Sequence, residues 1–240
     1  MTKIKMVAFD MAGTTIRDER EVETCFAMAC VKVGLKTTVD RILSLQGYAK
    51  REVFHLLWSE QVGAHESRLN KIVDESYAVF CEILEDHYLN SEIVPAEFAL
   101  ETFEYLKSID VKIALTTGFY RKVTNIILGK LGWLQGLDET YKSISDQSII
   151  DISVTPDEVI AGRPNPAMLL RAMNAFGIEN PDEVINIGDT PVDIQFGKNV
   201  GVGFTFAVTN GTHSREQLTG LGADALFDNL GELKSFIENL

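Results

Sequence analysis

Apolar and β-branched residues gather in short runs along the chain, at Ile4 to Phe9, Val111 to Leu115, Val184 to Ile187, Gly203 to Val208 and Ala225 to Phe227. Runs of this length, bounded by turn-forming residues, read as strands buried on both faces. Between them the apolar spacing changes to threes and fours. Phe98, Leu100, Phe103 and Leu106 mark a helix over Glu97 to Ser108, and Met168, Leu169, Leu170, Ala172 and Met173 mark another over Pro166 to Phe176. Glu232 to Leu240 closes the chain in the same pattern. Strands alternating with helices predict an α/β core, a Rossmann-like doubly wound parallel sheet whose ligands sit at the carboxyl ends of its strands.

From about Arg17 to Leu89 that rhythm breaks. The segment offers no convincing strand and reads as successive helices, the clearest carrying Leu69, Ile72, Val73, Tyr77, Phe80, Ile83 and Leu84. We therefore expect an all-helical cap domain over residues 17–94, inserted after the first strand of a core formed by residues 1–16 and 95–240. The crossings fall near residues 16–20 and 90–96, so the cap could close over a site at the strand ends. Trp58 and Trp133 lie in helical patterns and read as core, with Trp58 helping to shape the cap.

Composition narrows the partners. A chain of 240 residues with 45% hydrophobic content can bury a sizeable core. Its net charge of -13, from 22 basic and 35 acidic side chains, repels nucleic-acid backbones and anionic membranes, and no basic cluster offsets it. A phosphate-bearing ligand must then be met by local amides, one or two cations and a divalent metal. Cys25, Cys30 and Cys81 have neither disulfide nor metal spacing and read as buried thiols. His65, His87 and His213 also lack metal spacing. The first residues run into a strand without an apolar leader, and no apolar run reaches membrane-span length, so the expected location is cytoplasmic.

Candidate chemistry stands at three strand ends. Asp10 finishes the first run and is followed by Met11, Ala12, Gly13, Thr14 and Thr15, a tight turn whose amides and hydroxyls can hold a tetrahedral oxyanion. The second run ends in Thr116, Thr117 and Gly118, a hydroxyl beside a glycine amide. Gly188, Asp189 and Thr190 end the third, with Asp193 just beyond; Asp189 and Asp193 can place oxygens near Asp10, a carboxylate set suited to Mg²⁺. Any one of these motifs alone is an ordinary loop start. Their order makes a common site the better reading. Arg163, ahead of the helix near Pro166, can neutralise Asp10 and a phosphoryl group together. The first turn lacks GxGxxG and no P-loop occurs, which disfavours dinucleotide and P-loop folds.

This order of motifs, Asp10, Thr117, a basic residue, then Gly188-Asp189 with Asp193, resembles the haloacid dehalogenase superfamily across essentially the whole chain. Within it, Phe9 to Thr15 looks like the phosphonoacetaldehyde hydrolases, where alanine replaces the usual second aspartate; here that residue is Ala12. Gly47-Tyr48-Ala49-Lys50, Thr116 to Phe119, and Val154 to Asp157 followed by Ala161 to Pro164 are similar to the same branch. Gln46 and Val53 depart from it, standing where the branch carries methionine and histidine. His55 would fall on another face of the same helix.

The resemblance implies a small phosphorus-containing substrate, attack on phosphorus by Asp10, and a Schiff base between Lys50 and a substrate carbonyl that lets a carbon–phosphorus bond break. It implies Mg²⁺ at Asp10, the Ala12 carbonyl and Asp189, with Asp193 beside them. Gly13, Thr14 and Gly118 would bind the phosphoryl group, and Arg51 would assist Lys50 and the substrate. Pairing of caps into a homodimer has precedent in that branch. Two readings stay open at Lys50: a covalent amine, or a lysine that only contacts substrate electrostatically in a phosphatase acting on a small phosphate ester. A receiver-like phosphoacceptor domain fits poorly, because its acceptor would lie mid-chain without a helical insertion.

Overall fold

The computed structural model describes residues 3–240. Its strands are β1 (Met6–Phe9), β2 (Lys112–Thr116), β3 (Ile152–Val154), β4 (Val184–Gly188), β5 (Phe204–Val208) and β6 (Ala225–Phe227). They form one six-stranded sheet in the order β3-β2-β1-β4-β5-β6, with every neighbouring pair parallel. Five of the strands correspond to the apolar runs. The sixth, β3, has three residues between Asp151 and Thr155, too few to show a pattern, and is fixed by its pairing with Ala114, Leu115 and Thr116 of β2.

The helices are α1 (Glu21–Val33), α2 (Val39–Leu43), α3 (Lys50–Val62), α4 (Leu69–Asn90), α5 (Ala99–Ser108), α6 (Arg121–Lys130), α7 (Ala167–Ala175), α8 (Pro191–Val200), α9 (Arg215–Leu218) and α10 (Leu230–Glu238). Alternation along β1 divides the core. Val7 and Phe9 join the cluster containing Ala99, Phe103 and Leu106 of α5, whereas Met6 and Ala8 join Met168, Leu169, Ala172 and Met173 of α7. The sheet is therefore covered on both faces. In α5 the buried stripe is Ala99, Thr102, Phe103 and Leu106; Leu100 faces solvent. Phe98 precedes the helix with φ 62°, outside the helical periodicity that its apolar character suggested. Leu170 likewise lies on the exposed side of α7.

Helices α1 to α4 follow one another between β1 and α5 with no strand among them. They pack around Phe26, Phe54 and Phe80, with the first two rings stacked 4.4 Å apart and Phe80 edge-on to both. Cys25 and Cys30 lie on the buried face of α1, Cys81 is half-buried, and all three are free thiols. Trp58 donates its indole N–H to Ser76 Oγ at 2.8 Å, tying α3 to α4. The two connections to the sheet run side by side: Arg17 N–H donates to the Val94 carbonyl, Ala96 N–H donates to Thr15, and Ile16 bridges Pro95.

β1 lies between β2 and β4, with Phe9 in register with Leu115 on one side and Ile187 on the other. The sheet grows from β1 toward β3 in one direction and from β4 toward β6 in the other. Residues just beyond β1, β2 and β4 consequently meet at this switch in strand order, the place where open α/β sheets bind ligands.

Candidate active site

Asp10 is the first residue beyond β1 and is 5% exposed. The turn after it winds around one carbonyl: Thr14, Thr15 and Ile16 N–H groups all converge on Met11 O, and Gly13 N–H donates to Ile16 O. Thr15 Oγ1 donates to the Asp10 carbonyl at 2.9 Å. These bonds leave the Ala12 carbonyl unused by the turn. Gly13 has φ 86°, and a Cβ there would collide with the Asp189 carboxylate. Glycine thus permits the turn and lets the end of β4 approach that of β1.

Opposite Asp10, Arg163 reaches in from the loop between β3 and α7 and is buried. Its Nη1 contacts Asp10 Oδ1 at 2.7 Å and also pairs with Asp193 Oδ1. Asp193 stands in the first turn of α8 in a capping box with Thr190, whose amide and hydroxyl donate to Asp193 Oδ2 at 3.0 and 2.6 Å. Asp189 accepts the Thr212 amide at 2.7 Å and the Thr212 hydroxyl at 2.6 Å on Oδ2, and the Thr14 hydroxyl at 3.4 Å on Oδ1. Thr117 is buried, and its hydroxyl accepts the Phe119 N–H at 3.1 Å.

Lys50 enters from the helical insertion. It is the first residue of α3, yet its side chain is buried; Nζ donates to Gln46 Oε1 at 3.0 Å and to the Tyr48 carbonyl at 3.4 Å. The turn ahead of it is seated directly on the sheet loops. Gly47 has φ 85° and no room for a Cβ against Thr190 and Val192, and a Cβ on Gly118 would come 3.2 Å from the Gly47 and Tyr48 carbonyls. Between the two halves lies a cavity of about 30 Å³ whose lining includes Asp10, Ala12, Lys50, Thr117, Gly118 and Arg163. A space of this size holds only a few small-molecule atoms.

Residues 4–201 match the family model described as haloacid dehalogenase-like hydrolase. The chain belongs to this family of hydrolases. The phosphonoacetaldehyde hydrolase of Latilactobacillus sakei subsp. sakei (strain 23K) is 32% identical over 237 residues, covering 95% of this chain and 82% of that one. The Bacillus cereus (strain B4264) enzyme of the same name is 29% identical over 99% of this chain and 89% of its own. Among solved structures, a hydrolase from Pseudomonas syringae superposes with TM-score 0.76 at 19% identity, covering 98% of this chain and 99% of that one. A phosphonoacetaldehyde hydrolase-like protein from Oleispira antarctica gives TM-score 0.75 at 18% identity over 98% and 92%.

In this hydrolase, oxygens of Asp10, Asp189 and Asp193 lie within 4.8 Å of one another. Burial, offset by Arg163 and reinforced by Asp193 and Asp189, pushes the Asp10 carboxyl up to about 8. Burial and Asp193 raise Asp189 to about 6. Three buried carboxylates around one guanidinium leave negative charge uncompensated, and a hard divalent cation fits that donor set. Asp10, Asp189 and Asp193 are the carboxylates that could hold it. Asp193 joins the cluster with both oxygens already engaged, by Arg163 and Thr190.

Lys50 is lowered to about 8, first by burial and then by Arg163, against Asp10 and Asp18. Arg51 is a correction to the sequence expectation. Its side chain points out of the site and pairs with Asp74 on the surface, because its neighbour Lys50 takes the inward side of the first turn of α3. The cation beside Lys50 is Arg163. His55 is exposed, and Val53 is packed in the apolar cluster, so no imidazole lines the cavity among the described residues. Sequence reasoning did not single out Asp18, Thr190 and Thr212, which also line it. Thr190 belonged to a recognised motif, but Asp18 and Thr212 carry no motif and reach the cavity only through the fold. Among the described residues, no helix is long and apolar enough to cross a membrane.

Proposed function

We propose that this hydrolase cleaves the carbon–phosphorus bond of phosphonoacetaldehyde or a closely related carbonyl phosphonate, with Asp10 as nucleophile and Lys50 as Schiff-base amine. The observation that carries the reading is Lys50 itself: a buried lysine, lowered to about 8, lining the same small cavity as Asp10. A lysine so lowered has a substantial neutral fraction near neutrality and can condense with an aldehyde. Ala12 supports the same choice, since its methyl group cannot protonate an alkoxide as a carboxylic acid could. The relatives named phosphonoacetaldehyde hydrolase agree with it.

On this reading the insertion acts as a cap that brings Lys50 to the strand ends when it closes. The Lys50 amine adds to the substrate carbonyl and, as the carbonyl oxygen leaves as water, becomes an iminium. Asp10 attacks phosphorus, and the electron pair of the carbon–phosphorus bond passes into the iminium. Arg163 holds Asp10 and a phosphoryl oxygen, while the Gly13, Thr14, Thr117 and Gly118 groups position the remaining oxygens. Mg²⁺ held by Asp10, the Ala12 carbonyl and Asp189 would supply charge neutralisation for the transferring group. Water then releases phosphate from the aspartyl intermediate, and the enamine, protonated at carbon, is hydrolysed by a second water to free the aldehyde and Lys50.

A second reading, a phosphatase acting on a small phosphate ester, draws on Gln46 and Val53. An amide rather than a thioether faces Lys50, and the branch's histidine is missing from beside it. Phosphate release from phosphonoacetaldehyde with Mg²⁺, in the native protein, Lys50→Arg and Asp10→Asn, separates the two. Release abolished by both substitutions is expected. Asp10-dependent release from phosphate esters that survives Lys50→Arg, with none from phosphonoacetaldehyde, would establish the phosphatase instead.

A further inference from the structure

One carboxyl group in the cavity has no part in the steps above. Asp18 lies on the first crossing from the sheet to the helical insertion and lines the cavity together with Asp10, Lys50 and Arg163. Its Oδ1 accepts the Glu21 N–H at 2.9 Å, which anchors the carboxyl to the start of α1. The Glu21 carboxyl lies beside it, a second acid that makes ionisation of Asp18 costly. Burial and then Glu21 raise Asp18 to about 8, while Glu21, against its own burial, is lowered by the bond from Asp18. Of the two carboxyls, Asp18 is therefore the one that favours its protonated form. The other titratable groups around this pair are Cys25, Tyr88, Asp189 and His87, with Asp10 and Lys50 across the cavity.

A group leaving phosphorus must still gain a proton, and Ala12 has none to give. We propose that Asp18 is a catalytic acid and base of this hydrolase, protonating the departing group and regaining its proton from the water that hydrolyses the phosphoaspartate. The inference rests on the phosphoaspartate reading, but on neither choice of substrate. In carbon–phosphorus cleavage the bonding electrons form an enamine on Lys50, and the carbon that carried phosphorus takes the Asp18 proton. In ester cleavage the alkoxide oxygen takes it. Asp18, now a carboxylate, accepts a proton from the attacking water as the phosphorus–Asp10 bond breaks, which restores both carboxyl groups. Because Asp18 sits on the crossing, the acid is delivered with the cap, whereas an acid at position 12 would remain with the sheet.

The test compares native protein, Asp18→Asn and Asp18→Glu on phosphonoacetaldehyde, glycerol phosphate and acetyl phosphate, whose acetate departs without a proton. Asparagine keeps the acceptor for Glu21 N–H, and thermal melting checks the fold of each variant. We expect Asp18→Asn to lose roughly 100-fold or more on whichever of the first two substrates the native protein turns over, and about tenfold on acetyl phosphate, which dispenses with the acid step and keeps only the base step. Asp18→Glu should regain part of the loss, and the alkaline limb of the native pH–rate profile should vanish in Asp18→Asn. Equal loss on all substrates, or an alkaline limb unchanged in Asp18→Asn, would overturn the assignment. Native protein inactive on phosphonoacetaldehyde but active on glycerol phosphate defeats the carbon–phosphorus reading alone, and the glycerol phosphate comparison then decides Asp18.

Discussion

The two walls of the cavity are built differently. The sheet wall places Asp10, Thr117, Asp189 and Arg163 on the ends of buried strands and a loop beside them, each held by hydrogen bonds or ion pairs to its neighbours. The helical wall presents Lys50 from the first turn of α3, held by Gln46 and Tyr48 of its own segment. On the proposed function the sheet wall would serve a fixed task, the recognition of a phosphoryl group. The helical wall joins the sheet through the paired crossings near Ile16 and Pro95 and through the close seat of Gly47 against Thr190 and Val192. On the same reading, phosphorus chemistry and leaving-group choice would fall to separately built parts of the molecule.

The sharpest way to break this comparison is at Arg163. Arg163→Met removes the cation shared by Asp10 and Asp193, and we expect a rate loss on the order of 10²–10³, equal across phosphonates and esters. A loss confined to one leaving group would mean that the sheet wall also selects substrates. A smaller effect should come from Thr212→Val, which deletes the hydroxyl holding Asp189. Mg²⁺ affinity measured by calorimetry should fall roughly 10- to 100-fold, while borohydride trapping of Lys50 with an aldehyde stays unchanged. Reduced trapping would tie the two walls together.

The smallest effect concerns pH. Lys50 is lowered from 10.5 to about 8, so its ammonium form dominates below that pH and its free amine above it. Trapping at limiting aldehyde should rise about tenfold per pH unit up to about 8 and then level off. In Arg163→Met the break should move upward, since a neighbouring positive charge is gone while burial remains. A native rise continuing past pH 10 would show that Lys50 is not so perturbed.

Much of this was legible in the sequence because strands buried on both faces are continuous apolar runs, and parallel connection forces their carboxyl ends to one edge. Asp10, Thr117 and Asp189 could be grouped on that basis alone. β3 was not legible, because three residues held by one neighbour carry too little pattern. The side chain of Arg51 was misjudged because adjacent helical positions diverge by 100° or so, and only packing decides which turns inward. Asp18 and Thr212 were invisible for a similar reason: each lies in a loop with no periodicity, and only packing turns its side chain to the site.

The sequence by itself determined five of the six strands and their alternation with helices, the helical insertion after β1 and the residues that end the central strands, since these follow from local periodicity and connection rules. Only the tertiary structure decided that Lys50 is buried beside Gln46 with Arg163 as its neighbouring cation, that Asp193 braces that arginine, and that Asp18 shares the cavity. Those facts depend on how the insertion seats on the sheet. Close approach and desolvation of groups distant in the chain are properties of packing, which no local pattern encodes.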